Sequence, residues 1–162
     1  MSVQALRARL TRDDVQRLAQ AGDDEGRALA ARKICSRISM PGLSEKEREA
    51  ANAILSVLAN DAAEIVRRAM SVTLARSVNL PRDIARKLAE DIDSIAVPVI
   101  AGSPSLTEED LVEVVRSGAV VRQTAVAGRA EVPGKVVREI VMRAGDPAVQ
   151  RVIANDGAHF DA

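Results

Sequence analysis

Apolar residues recur at three- and four-residue steps along most of the chain, and no alternating run of strand length interrupts them. That spacing predicts helices over roughly 12–21, 24–38, 44–59, 62–77, 81–90, 92–101, 107–117, 119–128, 133–144 and 146–154. Breakers separate the segments: Gly22 closes one, and Pro41 with Gly42 closes another. Ser44 to Glu47 and Thr107 to Asp110 have the form of capping boxes. In such a box the hydroxyl accepts the amide three residues on, and the carboxylate there reaches back to the first amide. The connections are short, so neighbouring helices run antiparallel.

The pattern also repeats at a fixed period. Three segments open at Pro81, Thr107 and Pro133, 26 residues apart each time. The same shift aligns Leu80 with Leu106 and Val132, and Ala85 with Leu111 and Val137. It also aligns Leu88 with Val114 and Ile140, and Ala89 with Val115 and Val141. One column breaks, where Ile84 and Val136 face Asp110, because Asp110 is the carboxylate of the capping box.

The partner helices repeat more loosely. The strings LAND (58–61), LAED (88–91) and IAND (153–156) each end one helix and place an Asp before the next. An Asp there can accept the orphan amides of the helix that follows. Arg67, Arg68, Arg122 and Arg151 recur on these helices, and the spacing favours a ladder of ion pairs to Asp61, Asp91 or Asp146 over a phosphate-binding stripe. Helix–turn–helix units of this size cannot bury their faces alone and stack on one another. The expected fold is therefore all-α, an α-solenoid forming one domain over 1–162. Residues 1–60 supply N-terminal helices, and 61–162 supply about three and a half repeats.

Charge and composition narrow the chemistry. The 23 basic and 23 acidic side chains cancel, which removes the simplest case for a nucleic-acid binder. Phe160 is the one aromatic residue, too few for stacking on bases. One Cys and one His exclude a disulfide framework and a Cys/His zinc site. Cys35 lies among Ala31, Ile34 and Ile38 at helical spacing and is expected to be a buried structural thiol. The first fourteen residues lack the apolar core of a signal peptide. The longest uncharged apolar run, 95–102, is far short of the roughly 20 residues a membrane span needs, so no membrane association and a cytoplasmic location are expected.

Asp91 with Asp93, and the run Glu108, Glu109 and Asp110, read as carboxylates favoured at helix starts by the macrodipole. His159 stands near the end of the chain with no second His. No nucleophile elbow, P-loop or dinucleotide fingerprint occurs. No catalytic, cofactor-binding or metal-ligating residue is assigned, and no cofactor is expected.

The stretch DAAEIVRRAMSVTLA (61–75) resembles the first helix of a HEAT-like repeat in its short variety, and Pro98 within the helix at 92–101 suits the same pattern. More narrowly, residues 55–158 are similar to a family of uncharacterised alphaproteobacterial HEAT-like proteins, a domain of unknown function. The similarity is carried by 79–118, 121–133 and 153–160. It implies a right-handed superhelix and a bacterial cytosol, and it implies no activity. Members of that family are generally longer. Here the sequence stops where another unit would open, so a folded-back cap, a cut array and an end-to-end meeting of two chains all stay open.

In such arrays the second helices line a concave face that binds partners. On those helices Arg82 aligns with Glu108 and Gly134, and Asp83 with Glu109 and Lys135. Arg86 aligns with Val112 and Arg138, and Lys87 with Glu113 and Glu139. The middle unit is acidic between mixed or basic neighbours, a banding that suits a protein partner read by charge. The expected function is a non-enzymatic protein-interaction or scaffold module with contact residues Arg82, Arg86, Glu109, Glu113, Lys135 and Arg138. Its protein partner is unidentified, and self-association through the ends of the array is open. Two alternatives are a nucleic-acid-binding groove like that of HEAT-like DNA glycosylases, and an enzyme accessory like the HEAT-like bilin lyases. Neutral charge and missing aromatics count against the first.

Overall fold

The computed structural model describes residues 22–160 together with Leu18 and Gln20. The helix expected over 12–21 lies almost wholly outside the described residues. The others form within three residues of their expected bounds: α1 (Asp24–Ile38), α2 (Glu45–Ala59), α3 (Glu64–Leu74), α4 (Arg82–Ala89), α5 (Asp93–Gly102), α6 (Glu108–Ser117), α7 (Val120–Ala127), α8 (Gly134–Arg143) and α9 (Asp146–Ile153). The described residues are thus all-α, with one isolated parallel bridge between Val132 and Ala158.

Local chemistry sets the starts. Both capping boxes form: Ser44 Oγ accepts the Glu47 amide while Glu47 accepts that of Ser44, and Thr107 with Asp110 does the same. Asp61 and Asp91 behave differently from expectation. They accept the amides of Ala63 and Ile92, just outside the first turns of α3 and α5, and do not cap those turns.

The helices pack in two layers. In the first, α1 packs on α3, α3 on α5, α5 on α7 and α7 on α9. In the second, α2 packs on α4 and α6 on α8, whereas α4 and α6 scarcely touch. The core runs between the layers through Ile38, Ile54, Leu58, Met70, Leu88, Ile95, Ile100, Val115 and Ile140, all essentially sealed from water. Burial of such side chains stabilises by roughly 1.5–3 kcal/mol each. Buried Ser71 ties α3 to α5 by donating its hydroxyl to the Ile95 carbonyl.

The turns between units are tied to one another across the 26-residue period. Ser77, Ser103 and Asn155 each accept the amide two residues on, from Asn79, Ser105 and Gly157 respectively. Each turn also reaches back to the one before. Asn79 Nδ2 donates to the carbonyls of Ile38 and Met40, and Ser105 Oγ to that of Leu80. Arg129 donates to the carbonyls of Ile100 (2.5 Å) and Ser103 (2.8 Å), and Asn155 to those of Ala127 and Arg129. Three of the acceptors, the carbonyls of Ile38, Ile100 and Ala127, lie in the last turns of helices and would otherwise be orphaned.

The column of Leu80, Leu106 and Val132 continues to Ala158, which packs against the core and pairs with Val132. The Val132 amide donates to the Gly157 carbonyl and the His159 amide to the Val132 carbonyl. A Cβ at Gly157 would sit 1.9 Å from the Ala130 carbonyl oxygen, so the two backbones approach as only glycine allows. Gly157→Ala should therefore loosen residues 155–160 and speed exchange of the Val132 amide by about tenfold or more, read by hydrogen-exchange NMR. An unchanged rate would show that the close approach is not needed.

Two column assignments need correction. Val141 aligns with buried Ala89 and Val115, yet it is half exposed, because no described element packs over α8 as α8 packs over α6. Val112 aligns with exposed Arg86 but is buried where α6 meets α8, so in the middle unit this column belongs to the core.

Candidate functional site

Charged side chains order both layers. In the first, Arg27 reaches Asp61 (3.2 and 3.3 Å) and Arg67 grips Asp91 through two bonds (2.7 and 3.1 Å). The Arg67 guanidinium holds the Asp91 carboxyl below its ordinary range. Arg122 pairs with Asp93 at 2.7 Å and donates to the carbonyls of Ala89 and Asp91, which closes the end of α4. A ladder therefore exists, though with partners partly different from those expected. Arg68 borders a cleft between α1 and α3, Arg151 lies against Gly128, and among the described residues neither they nor Asp146 joins a rung.

The second layer carries all six residues anticipated for partner contact, on α4, α6 and α8. Arg82 makes a two-bond grip on Asp110 (2.9 and 3.0 Å), and Arg86 approaches the same carboxylate at 3.3 Å. Glu109 pairs with Lys135 at 3.4 Å. Arg116 and Arg143 converge on Glu139 at 2.8 and 2.5 Å. Glu113 faces α4, and Arg138 borders a small cleft with Val141, Met142 and Phe160. The structure thus joins Arg82 with Arg86 and Glu109 with Lys135, and leaves Glu113 apart from both pairs.

Asp110 does more than cap. It is buried between the Thr107 amide and two guanidinium groups, and its pKa falls from 3.8 to about 2. The Arg82 bonds are the main cause, opposed by desolvation and helped by the Thr107 amide. The capping box accounted for Asp110 in the sequence, so its second role as the meeting point of Arg82 and Arg86 went unread. A polar break in an otherwise apolar column was the available signal.

The split between α4 and α6 has its cause here. Where α6 packs on α8 and both carry buried valines, α4 and α6 are bridged by Asp110 and two arginines. The gap is a groove of about 400 Å³. Ala89, Leu106, Val114 and Ala119 give it an apolar bed, and six charged residues rim it: Arg86, Glu90, Asp93, Asp110, Glu113 and Arg122. Both rim cations are held by rim carboxylates, Arg86 by Asp110 and Arg122 by Asp93. Among the described residues Glu90 and Glu113 form no ion pair, though Arg116 acts on Glu113 through space. Glu90, absent from the anticipated contact residues, becomes visible only once α4 and α6 are seen to part.

Residues 95–162 match the model of a family described as an uncharacterised protein conserved in bacteria (DUF2336). The match begins in α5, so it takes in the α6 and α7 walls of the groove and leaves out α4. No curated protein and no solved structure matches the chain. Among the described residues no three His, Cys, Asp or Glu side chains converge as a metal site, and no helix is long and apolar enough to cross a membrane. Cys35 is buried, and desolvation pushes its thiol up to about 12, which suits packing and not nucleophilic work.

Proposed function

We propose that the two layers form a short α-solenoid of HEAT-like helix–turn–helix units and that the protein is a non-enzymatic interaction or scaffold module of the bacterial cytosol. Support for the solenoid comes from the packing of each helix on the next but one, and from turns bonded to turns at the sequence period. The observation that carries the function is the groove between α4 and α6. It is a concave, half-apolar, half-charged surface on the helix layer that carries all six anticipated contact residues. A partner protein fits such a surface through apolar contact at its floor and charge complementarity at its rim.

The test is affinity capture from a bacterial lysate, read by mass spectrometry, with a variant reversed in charge at Arg86, Glu113 and Arg138 run beside it. Thermal melts of both proteins establish that the variant is folded. The expected result is a protein captured by the native chain and lost by the variant. Equal capture by both would remove this face from consideration.

A further inference from the structure

The charge balance around the groove narrows what kind of partner it takes. Arg122 is paired with Asp93 at 2.7 Å and further fixed on backbone carbonyls, while Arg86 shares the Asp110 carboxylate with Arg82 at 3.3 Å. The carboxylates left over, Glu90 at the end of α4 and Glu113 on α6, come from the two helices that part to make the groove. The same groove is also lined by apolar Leu106 and Val114. An anionic segment would meet cations already engaged and the carboxylates of Glu90 and Glu113. A basic segment would meet those carboxylates directly.

We propose that this groove is a receptor for an arginine side chain on a basic segment of the partner protein. Its guanidinium would bridge Glu90 and Glu113, and its methylene stem would lie on the Leu106 and Val114 floor. Arginine suits the place better than lysine. A guanidinium is planar and weakly hydrated, so it loses less on entering a half-apolar cleft, and it presents several donors to two carboxylates at once. Its stem also covers apolar surface that an ammonium group on its own would leave bare. The inference rests on the interaction reading above and supplies the chemistry of the partner.

The probe is the capped tripeptide acetyl-Gly-Arg-Gly-amide, titrated to millimolar excess into the isotopically labelled full chain and followed by amide NMR shifts. Its lysine and citrulline counterparts serve as controls. Saturable shifts confined to residues 86–93 and 106–122 are expected with arginine. Weaker shifts are expected with lysine, and none with the neutral citrulline. The double variant Glu90→Gln with Glu113→Gln removes two exposed carboxylates that form no ion pair among the described residues, and it should keep the native melting temperature while weakening the arginine peptide by about tenfold or more. Equal shifts from the citrulline peptide, or undiminished binding by the double variant, would overturn the proposal. A silent groove would overturn it too. If the groove is silent while the charge-reversed variant still loses a captured partner, the interaction face stands and the arginine receptor falls. If the peptide binds but capture is unaffected by charge reversal, the receptor stands and the capture reading falls.

Discussion

Truncating Ile95 to alanine should lower stability by about 3–4 kcal/mol and divide the unfolding transition in two. The first effect follows from burial. Ile95 is fully enclosed in α5, and removing such a side chain costs its transfer energy plus that of the cavity left behind, about 2–5 kcal/mol. The second follows from how the layers connect. The helices of the second layer part between α4 and α6, so the first layer carries most of the coupling between the two halves, through α3, α5 and α7. The helix that holds Ile95 touches α3, α4 and α7, and the carbonyl of Ile95 itself receives the Ser71 hydroxyl from α3. In an array where each unit touches only its neighbours, weakening the joint uncouples what it joins. Hydrogen exchange read by mass spectrometry in rising denaturant should show residues 107–153 and 24–90 opening at different concentrations. Ile140→Ala, equally buried but in α8, should lower stability while leaving the coupling intact. A single concerted transition in the Ile95 variant would refute the idea that α5 is the joint.

Much of this arrangement could be read from the chain. Helical spacing and two capping boxes placed the described helices, because those signals are local and strong. The 26-residue columns identified which faces are buried in successive units. They failed at Val141 and Val112 for one reason: burial of a column depends on the neighbour that covers it, and the alignment of units does not say which neighbours press closely. The turn-to-turn bonds were hidden differently. They run from a side chain to a backbone carbonyl 25–29 residues away, or 39–41 for Asn79, and carbonyls have no identity in a sequence. The column of Ser77, Ser103, Arg129 and Asn155 was open to inspection, yet its four members share only the capacity to hydrogen-bond. The candidate site was half legible. Its charged residues stood out at once, whereas the groove depends on α4 and α6 failing to pack, a property of pairs of helices.

Asp110→Ala should cost about 2–3 kcal/mol and flatten the acid limb of the stability curve. Three contributions combine. Loss of the capping box takes about 1 kcal/mol, since the Thr107 amide loses its acceptor. The two-bond grip of Arg82 disappears, and Arg82 and Arg86 become adjacent cations with no anion between them. Both guanidinium groups are about half exposed, so water offsets part of that repulsion and keeps the total below that of a fully buried pair. The pH dependence follows from the same carboxylate. Its folded pKa of about 2 lies below the ordinary 3.8, so its contribution is fully present above the ordinary value. It is lost as pH falls through the folded value, and over that window it amounts to about 2 kcal/mol. Asp91 and Glu139, also held down by arginine, add to the slope in the same direction and remain in the variant. Urea unfolding at a series of pH values between neutral and 2 should therefore show the native protein and the variant furthest apart near neutrality and converging at the acid end. Parallel curves would mean that Asp110 is not the carboxylate whose protonation opens the contact between α4 and α6.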